Sequence, residues 1–185
     1  MKKIYWVILA IVIIAVGYFW TSYNTFVTLQ QSVESAWSNV ETQYQRRSDL
    51  IPNLVATVKG YATHEQETLE QVVAARSAAT AVAGNTAEFA AAQEGVTAAL
   101  SRLIAIAEQY PDLKANQNFL ELQSQLEGTE NRIAVARQSY NEVVKEYNIA
   151  IAKFPAKVVA SIFGFEKSEL FKASEGSSEA PKVEF

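Results

Sequence analysis

The chain has 185 residues, of which 49% are hydrophobic, and it carries a formal net charge of −4 and no cysteine. This length suits one domain with a sizeable core, and the slightly acidic balance leaves no basic face for a phosphate backbone, so nucleic acid is not an expected partner. The lack of cysteine excludes disulfides, zinc–thiolate centres and thiol nucleophiles. Seven glycines and four prolines are few for a sheet protein with many turns, and the composition therefore favours helices.

The N-terminal residues predict a membrane-spanning helix. Residues 4–20 contain no charged or amide side chain and, as a helix, approach the ~30 Å thickness of a bilayer core. Lys2 and Lys3 precede this stretch and no Lys or Arg occurs in residues 21–45, so the positive-inside rule predicts a cytoplasmic N-terminus and an extracytoplasmic body at the cell membrane. The alternative is a cleaved signal peptide, for which residues 15–17 (AVG) would be the cleavage triplet.

The residues after the anchor carry the pattern of amphipathic helices, with one ambiguous boundary. From Phe26 to Tyr61 an apolar or aromatic side chain recurs at steps of three and four, but Pro52 lacks the amide hydrogen that a helix interior uses. Ser48 and Asp49 are good N-cap residues. The favoured interpretation is a new helix from about Ser48 to residue 83, and the alternative is one long bent helix.

Two further helices follow. Thr86 caps the third helix, which ends before Tyr110 because Pro111 disfavours the helical conformation at the preceding residue. The last helix has apolar, aromatic or small residues at alternating steps of three and four from Phe119 to Phe154, the spacing of a bundle or coiled-coil seam. An all-α fold is predicted, with the single transmembrane helix followed by an antiparallel up-and-down four-helix bundle.

These patterns divide the chain into four parts. They are a transmembrane anchor at 1–22, a helical bundle at 23–155, a short apolar membrane-proximal segment at 156–172 and a disordered tail at 173–185. The last helix of an up-and-down bundle ends near the membrane, so the apolar residues 158–165 are expected to dip into the lipid surface, to cap a neighbouring subunit, or to close the bottom of the core.

Two blocks of sequence resemble the LemA family of bacterial membrane-anchored proteins. The first block is RRSDLIPNLV at 46–55, YATHE at 61–65 and AR at 75–76. The second block is YPDLKAN at 110–116, NF at 118–119, TE at 129–130, AR at 136–137, and YN at both 140–141 and 147–148. The resemblance implies a single N-terminal span, an antiparallel four-helix bundle and no enzyme activity, because the family has no agreed biochemical function.

The residues that could support catalysis do not complete a site. His64 and Glu65 invite comparison with zinc proteases, but the second histidine that such a site needs one turn later is Thr68 here. Glu108 and Glu130 are the best candidates for a carboxylate metal site, yet the Glu-x-x-His elements that complete such sites are missing. We therefore predict no catalytic residue, metal or cofactor, and a capping or solvent-exposed role for His64.

Arg47 is the most informative polar residue because it lies on the apolar stripe of the first helix. A buried guanidinium needs a carboxylate and several hydrogen bonds. If Tyr23 lies opposite Phe154 in an antiparallel pair of helices, Arg47 lies level with Glu130, and we predict an Arg47–Glu130 pair that fixes helix register. The local alternatives are Asp49 and Arg137.

The remaining candidates are structural or interaction residues. Polar side chains between the third and last helices satisfy free helix ends or form a partner-binding loop, and four residues at equivalent heptad positions are expected to pack the core with hydrogen-bonded hydroxyls. The first group is Tyr110, Asp112 and Asn116, and the second is Tyr140, Asn141, Tyr147 and Asn148.

These features favour a non-enzymatic membrane-anchored scaffold or adaptor that contacts membrane lipid and other proteins or copies of itself. The rival hypothesis is a membrane-surface or lipid-interacting protein in which residues 158–165 are the working element. An enzyme that binds a metal or small molecule in a polar pocket between helices ranks third, and no small-molecule substrate is evident.

Overall fold

The computed structural model describes residues 2–62, 64–84 and 87–171, and all regular elements within these ranges are helices. The predicted all-α class is therefore confirmed. In chain order the helices are α1 (Lys2–Lys59), α2 (Gln66–Ala81), α3 (Ala87–Ala107), α4 (Pro111–Lys114), α5 (Gln117–Ala152) and α6 (Ala156–Phe163).

The anchor and the first helix of the body are one helix. α1 runs for 58 residues through Pro52, so the favoured prediction of a new helix at Ser48 is wrong. The buried stripe continues without a slip through Tyr44, Arg47 and Ile51, which keeps the same face on the body on both sides of the proline. α1 ends instead at Lys59, and α2 begins at Gln66 and has 16 residues rather than forming the longer helix expected from residue 48 to 83.

A side chain from another helix repairs the defect at Pro52. Because proline has no N–H, the carbonyl of Ser48, four residues earlier, loses its helical hydrogen bond. Arg76 of α2 replaces it, since its Nε lies 2.9 Å from the Ser48 carbonyl oxygen and 3.1 Å from the Ser48 Oγ. α1 therefore continues through Pro52 with an external donor at the open carbonyl.

α1 and α5 form a long antiparallel pair. The start of α5 meets the end of α1, where Asn116 Nδ2 donates to the Tyr61 hydroxyl at 2.8 Å, and the chain after α5 returns to Tyr23, whose ring centroid lies 4.9 Å from that of Phe163. α2 and α3 have 16 and 21 residues against 36 in α5, or about 24 and 31 Å against about 54 Å. They are too short to cover the whole pair.

The buried residues accordingly form two clusters. The distal core, far from the anchor along α1, is mainly aliphatic and draws on α1, α2, α3, α4 and α5; its large members are Ile51, Leu54, Val58, Leu69, Val72, Leu100, Leu103, Leu113, Phe119 and Leu126. The proximal core, next to the anchor, is rich in aromatic residues and includes Phe26, Val40, Tyr44, Phe89, Ile133, Tyr140, Val144, Tyr147, Ile151, Val159 and Phe171.

The predicted seam of the last helix is correct over most of its length. Phe119, Thr129 and Tyr140 are buried as expected, but Phe154 is 87% exposed because α5 already ends at Ala152. The proposed disordered tail at 173–185 lies outside the described residues. α1 is the one described helix that is long and apolar enough to cross a membrane.

Candidate functional site

The chain beyond α6 turns back along the body as an irregular segment. We call residues 165–171 the C-terminal strap; they have no regular secondary structure. Every third residue of the strap faces the body: Phe165 and Ser168 are partly buried and Phe171 is buried, whereas the residues between them are exposed.

Two asparagines of α5 hold the strap by its backbone. Asn148 donates from Nδ2 to the Ser168 carbonyl at 2.9 Å and accepts from the Ser168 N–H at 3.0 Å. Asn141 makes the same pair of bonds with Phe171, at 2.9 and 2.8 Å. Each side-chain amide thus satisfies both backbone polar groups of one strap residue, as a neighbouring strand would.

The spacing of the two asparagines matches an extended chain. Seven residues of α-helix advance about 10.5 Å, and three residues of extended chain span about 10 Å. Asn148 and Asn141 are one heptad apart, and the residues they bind, Ser168 and Phe171, are three apart in the opposite direction. The strap therefore runs antiparallel to α5 and is nearly fully extended between the two asparagines.

Phe171 fills an aromatic pocket between α1 and α5. Its ring stacks near-parallel on Trp37 and Tyr44, with centroid distances of 6.3 and 6.5 Å. The Arg137 guanidinium carbon lies 4.1 Å from the Phe171 ring centroid, a cation–π geometry. We call the surface formed by Trp37, Tyr44, Arg137, Asn141 and Asn148 the clamp groove.

The predicted tyrosines line the same region. The Tyr140 hydroxyl donates to the Glu169 carbonyl of the strap at 2.9 Å. Burial raises the pKa of the Tyr147 phenol, and the negative charge of Glu166 raises it further. Tyr140 and Tyr147 are buried in the proximal core, and Tyr140, Asn141 and Asn148 also bind the strap. Ser168 and Phe171 were not predicted from the sequence, and Phe165 was predicted only as the end of the apolar segment 158–165.

A polar cluster separates the proximal core from the distal core. Arg47 is 1% exposed, and its Nη1 lies 2.8 Å from Glu130 Oε1, which is the predicted ion pair. The same guanidinium donates to Thr97 Oγ1 at 2.9 Å, and to the side-chain and backbone oxygens of Gln93 at 2.6 and 3.1 Å. We call Arg47, Gln93, Thr97 and Glu130 the arginine cluster; its two α3 members were not predicted.

The local alternatives for Arg47 have other partners. Asp49 is exposed and accepts from Gln45 Nε2 at 2.7 Å, while Arg137 lies over the Phe171 ring. The Tyr44 ring lies 5.1 Å from the Arg47 guanidinium carbon, and burial raises the pKa of the Tyr44 phenol although both arginines act to lower it.

The remaining candidates meet at the distal end of the body. The Tyr110 hydroxyl donates to Glu65 Oε1 at 3.0 Å, and this hydrogen bond raises the pKa of Tyr110. Asn116 caps α5, because its Oδ1 accepts from the Phe119 N–H at 3.1 Å. His64 and Asp112 are exposed. These side chains mainly tie helix ends to one another.

The described residues do not assemble a recognisable metal site. Within the three described ranges, no three His, Asp or Glu side chains lie close enough together to hold a metal ion. An open groove of about 800 Å³ lies between α1, α2 and α3, with charged side chains of both signs, among them Glu41, Asp49, Arg46 and Arg76. That the protein uses no cofactor remains a prediction from the sequence.

Comparison with known families matches residues 36–185 to the LemA family. Magnetosome protein MamQ 2 of Paramagnetospirillum magneticum is 30% identical over 175 residues, which cover 81% of this chain and 64% of that protein, so the chain spans just under two thirds of this relative's length. Protein LemA of Metamycoplasma hominis is 25% identical over 167 residues, covering 88% of this chain and 76% of that protein. None of these names states an enzymatic activity. The apolar N-terminal helix and these relatives indicate a membrane-associated protein. Since the family match extends over most of the sequence, the chain belongs to the LemA family.

Proposed function

We propose that this protein is a non-enzymatic membrane-anchored scaffold or adaptor, which acts through protein–protein contacts of its helical body and assembles with other copies of itself. In this proposal residues 23–155 work as one antiparallel up-and-down bundle. The continuity of α1 is the observation that carries the proposal.

A single helix of 58 residues, about 87 Å long, connects the apolar anchor to the far end of the body. With Pro52 repaired by Arg76, no break in this helix separates membrane from body. The body is therefore held at a fixed distance from the anchor and in a fixed orientation relative to it, which suits a platform for partners and does not suit a tethered domain that must search for a substrate.

The buried polar side chains support the same proposal. The arginine cluster and the two asparagine clamps direct their donors to other parts of this chain, so they stabilise its shape. Partner contacts would then fall to the exposed faces of the long helices. Crosslinking of the full-length protein in intact native membranes, followed by sizing and mass spectrometry, tests this.

A regular ladder of this chain, or one recurrent second protein, is the expected result of that experiment. A protein that stays monomeric, with nothing attached under conditions that crosslink a known membrane complex, would overturn the proposal.

We also propose that the N-terminus is cytoplasmic and the body extracytoplasmic, because Lys2 and Lys3 precede the apolar stretch. The chain has no cysteine, so the variant Glu121→Cys carries one thiol in the body. A membrane-impermeant thiol reagent should label this variant in intact cells as strongly as in permeabilised cells. Labelling that needs permeabilisation would reverse the orientation.

One observation favours a second function, contact with the lipid surface. α6 buries Val159 and Ala160 in the proximal core but leaves Ile162 and Phe163 62% and 51% exposed. Since Phe163 contacts Tyr23 just beyond the apolar stretch, this apolar face lies level with the end of the anchor.

A fluorescent label at Ile162→Cys should be quenched by lipid-borne quenchers if α6 enters the bilayer surface. The matched label at Glu121→Cys, on the distal part of α5, should not be quenched. Equal quenching at both positions, or none at either, would exclude this second function.

A further inference from the structure

The clamp groove selects little of the sequence of the chain that it binds. Asn141 and Asn148 bind backbone N–H and C=O groups, which every residue except proline offers. Side-chain selection occurs at Phe171, which enters the pocket of Trp37, Tyr44 and Arg137. The groove thus fits any extended segment that carries an aromatic residue at the second clamped position, a backbone-plus-pocket mode of peptide recognition.

The strap is joined to the body by a short connection. α6 ends at Phe163 and is capped by Gly164, whose φ of +74° is the left-handed conformation that favours glycine. The exposed residues 166 and 167 separate this turn from the first clamped residue, Ser168. A different backbone conformation in these few residues would direct the strap away from its own body without altering either clamp.

Neighbouring copies would present their grooves to one another at the same height. The continuous α1 sets each body at the same distance from its anchor, and therefore at the same height above a shared membrane. The strap begins beside the anchor, where Phe165 packs on Tyr23 and Phe26 with ring centroids 5.7 and 5.3 Å apart. A strap that leaves its own body thus starts close to the membrane plane that the copies share.

We infer that the clamp groove is a peptide-binding site whose second occupant is the C-terminal strap of another copy, exchanged between neighbours in the membrane. This inference deepens the self-assembly part of the proposed function and rests on it. Exchange replaces each contact within a copy by the identical contact between copies, so the density of copies and the connection at Gly164 set the balance between the two forms.

A complementation experiment with full-length chains in one membrane tests the exchange. The donor chain carries Asn141→Ala and Asn148→Ala, so its groove loses all four hydrogen bonds to a strap backbone, and a photoreactive phenylalanine derivative replaces its exposed Leu170. The acceptor chain carries a different affinity tag and Phe171→Ala, which removes the ring that holds its own strap but leaves the groove intact. Helix content and melting temperature of each variant report whether it folds.

Donor plus acceptor should give a crosslink from position 170 of the donor to α1 or α5 of the acceptor. Donor with a second donor should give at least about thirtyfold less, because four hydrogen bonds are missing from every groove. If the donor does not fold, the wild-type groove with the photoreactive residue at position 170 serves as donor, and the vacant acceptor groove should then capture more strap than a wild-type acceptor.

Absence of cross-chain products with folded variants would overturn the exchange. If wild-type protein still forms its ladder under a chemical crosslinker, the scaffold proposal survives that result. If the wild-type protein is also monomeric, both proposals fail.

Discussion

The distal and proximal cores cover the pair of long helices, α1 and α5, with different elements. The distal core is built where α2 and α3 lie beside α1 and α5, and aliphatic side chains at helical spacing fill it. Most of the proximal core lies beyond α2 and α3, although Phe89 at the start of α3 contributes one ring, and α6 and the strap cover it with aromatic rings and backbone clamps. A long helix pair can thus be completed by its own C-terminal segment in place of further helices.

The arginine cluster lies at the boundary between these cores. Arg47 stands between Tyr44 of the proximal core and Ile51 of the distal core, and Glu130 stands between Leu126 and Ile133. A guanidinium at this boundary can be satisfied in one register of α1 against α5. The cluster therefore fixes register more than it adds stability.

Removal of the buried arginine should have the largest effect. Arg47→Met strips the donor from Gln93 and Glu130, and we expect the free energy of unfolding to fall by about 3–5 kcal/mol. Glu130→Gln should cost about 1 kcal/mol, because the Glu130 side chain is 41% exposed and water can replace part of the pair. Denaturant unfolding in detergent measures both.

The matched control for that experiment is Arg132→Met, the same substitution at an exposed position of α5. It should change the free energy of unfolding by less than about 0.5 kcal/mol. An Arg47→Met protein as stable as this control would show that the two cores do not depend on the arginine cluster.

Removal of the Phe171 ring should destabilise the proximal core and leave the distal core protected. Phe171→Ala removes a buried ring and should cost about 3 kcal/mol in the proximal core. Hydrogen exchange should speed up in the second half of α5 and in α6, while α2 and α3 keep their protection. Leu170→Ala, at a position 48% exposed, is the control. Uniform acceleration through both cores would mean that they unfold as one unit.

The repair at Pro52 can be measured by a double-mutant cycle. Arg76→Ala leaves the Ser48 carbonyl without its donor and should cost about 1–3 kcal/mol. In a Pro52→Ala background the helix supplies its own N–H, so the same substitution should cost clearly less. Equal costs in both backgrounds would show that Arg76 acts independently of the proline.

Alkaline pH should weaken the proximal core by a smaller amount. Because burial raises the pKa of Tyr44, and of Tyr147, the folded state favours their protonated phenols. This contribution is complete below the unfolded pKa of about 10 and is lost as pH rises through the folded values. Tyr44→Phe should flatten the fall in melting temperature above pH 10; an unchanged slope would rule Tyr44 out as a cause.

Helical periodicity in the sequence predicted the buried faces of the long helices and their register. The stripe from Phe26 through Tyr44 is buried or partly buried as expected, and the antiparallel register that pairs Arg47 with Glu130 followed from counting along two helices. Pro52 was misread because its remedy, the Arg76 contact to Ser48, comes from 28 residues away along the chain. Local signals cannot show such a partner.

The strap was missed for a related reason. Asn141 and Asn148 were recognised as equivalent heptad positions, but their partners are backbone groups, which leave no trace in the identity of Ser168. Phe171 is one aromatic residue in a segment without helical or strand periodicity, so no sequence pattern predicted its burial. The two asparagines at heptad spacing are the signal that could have indicated an extended chain on α5.

The most direct test of the scaffold proposal alters the rigidity of α1 alone. Two full-length variants carry seven-residue inserts after Thr21, one of Gly and Ser and one rich in Ala, which extends the helix by about two turns. Both move the body by comparable lengths of chain, but only the first uncouples its orientation from the anchor. Crosslinking in native membranes should give the wild-type complexes with the helical insert and lose them with the flexible insert. Identical complexes from both variants would contradict the claim that a continuous helix makes this protein a scaffold.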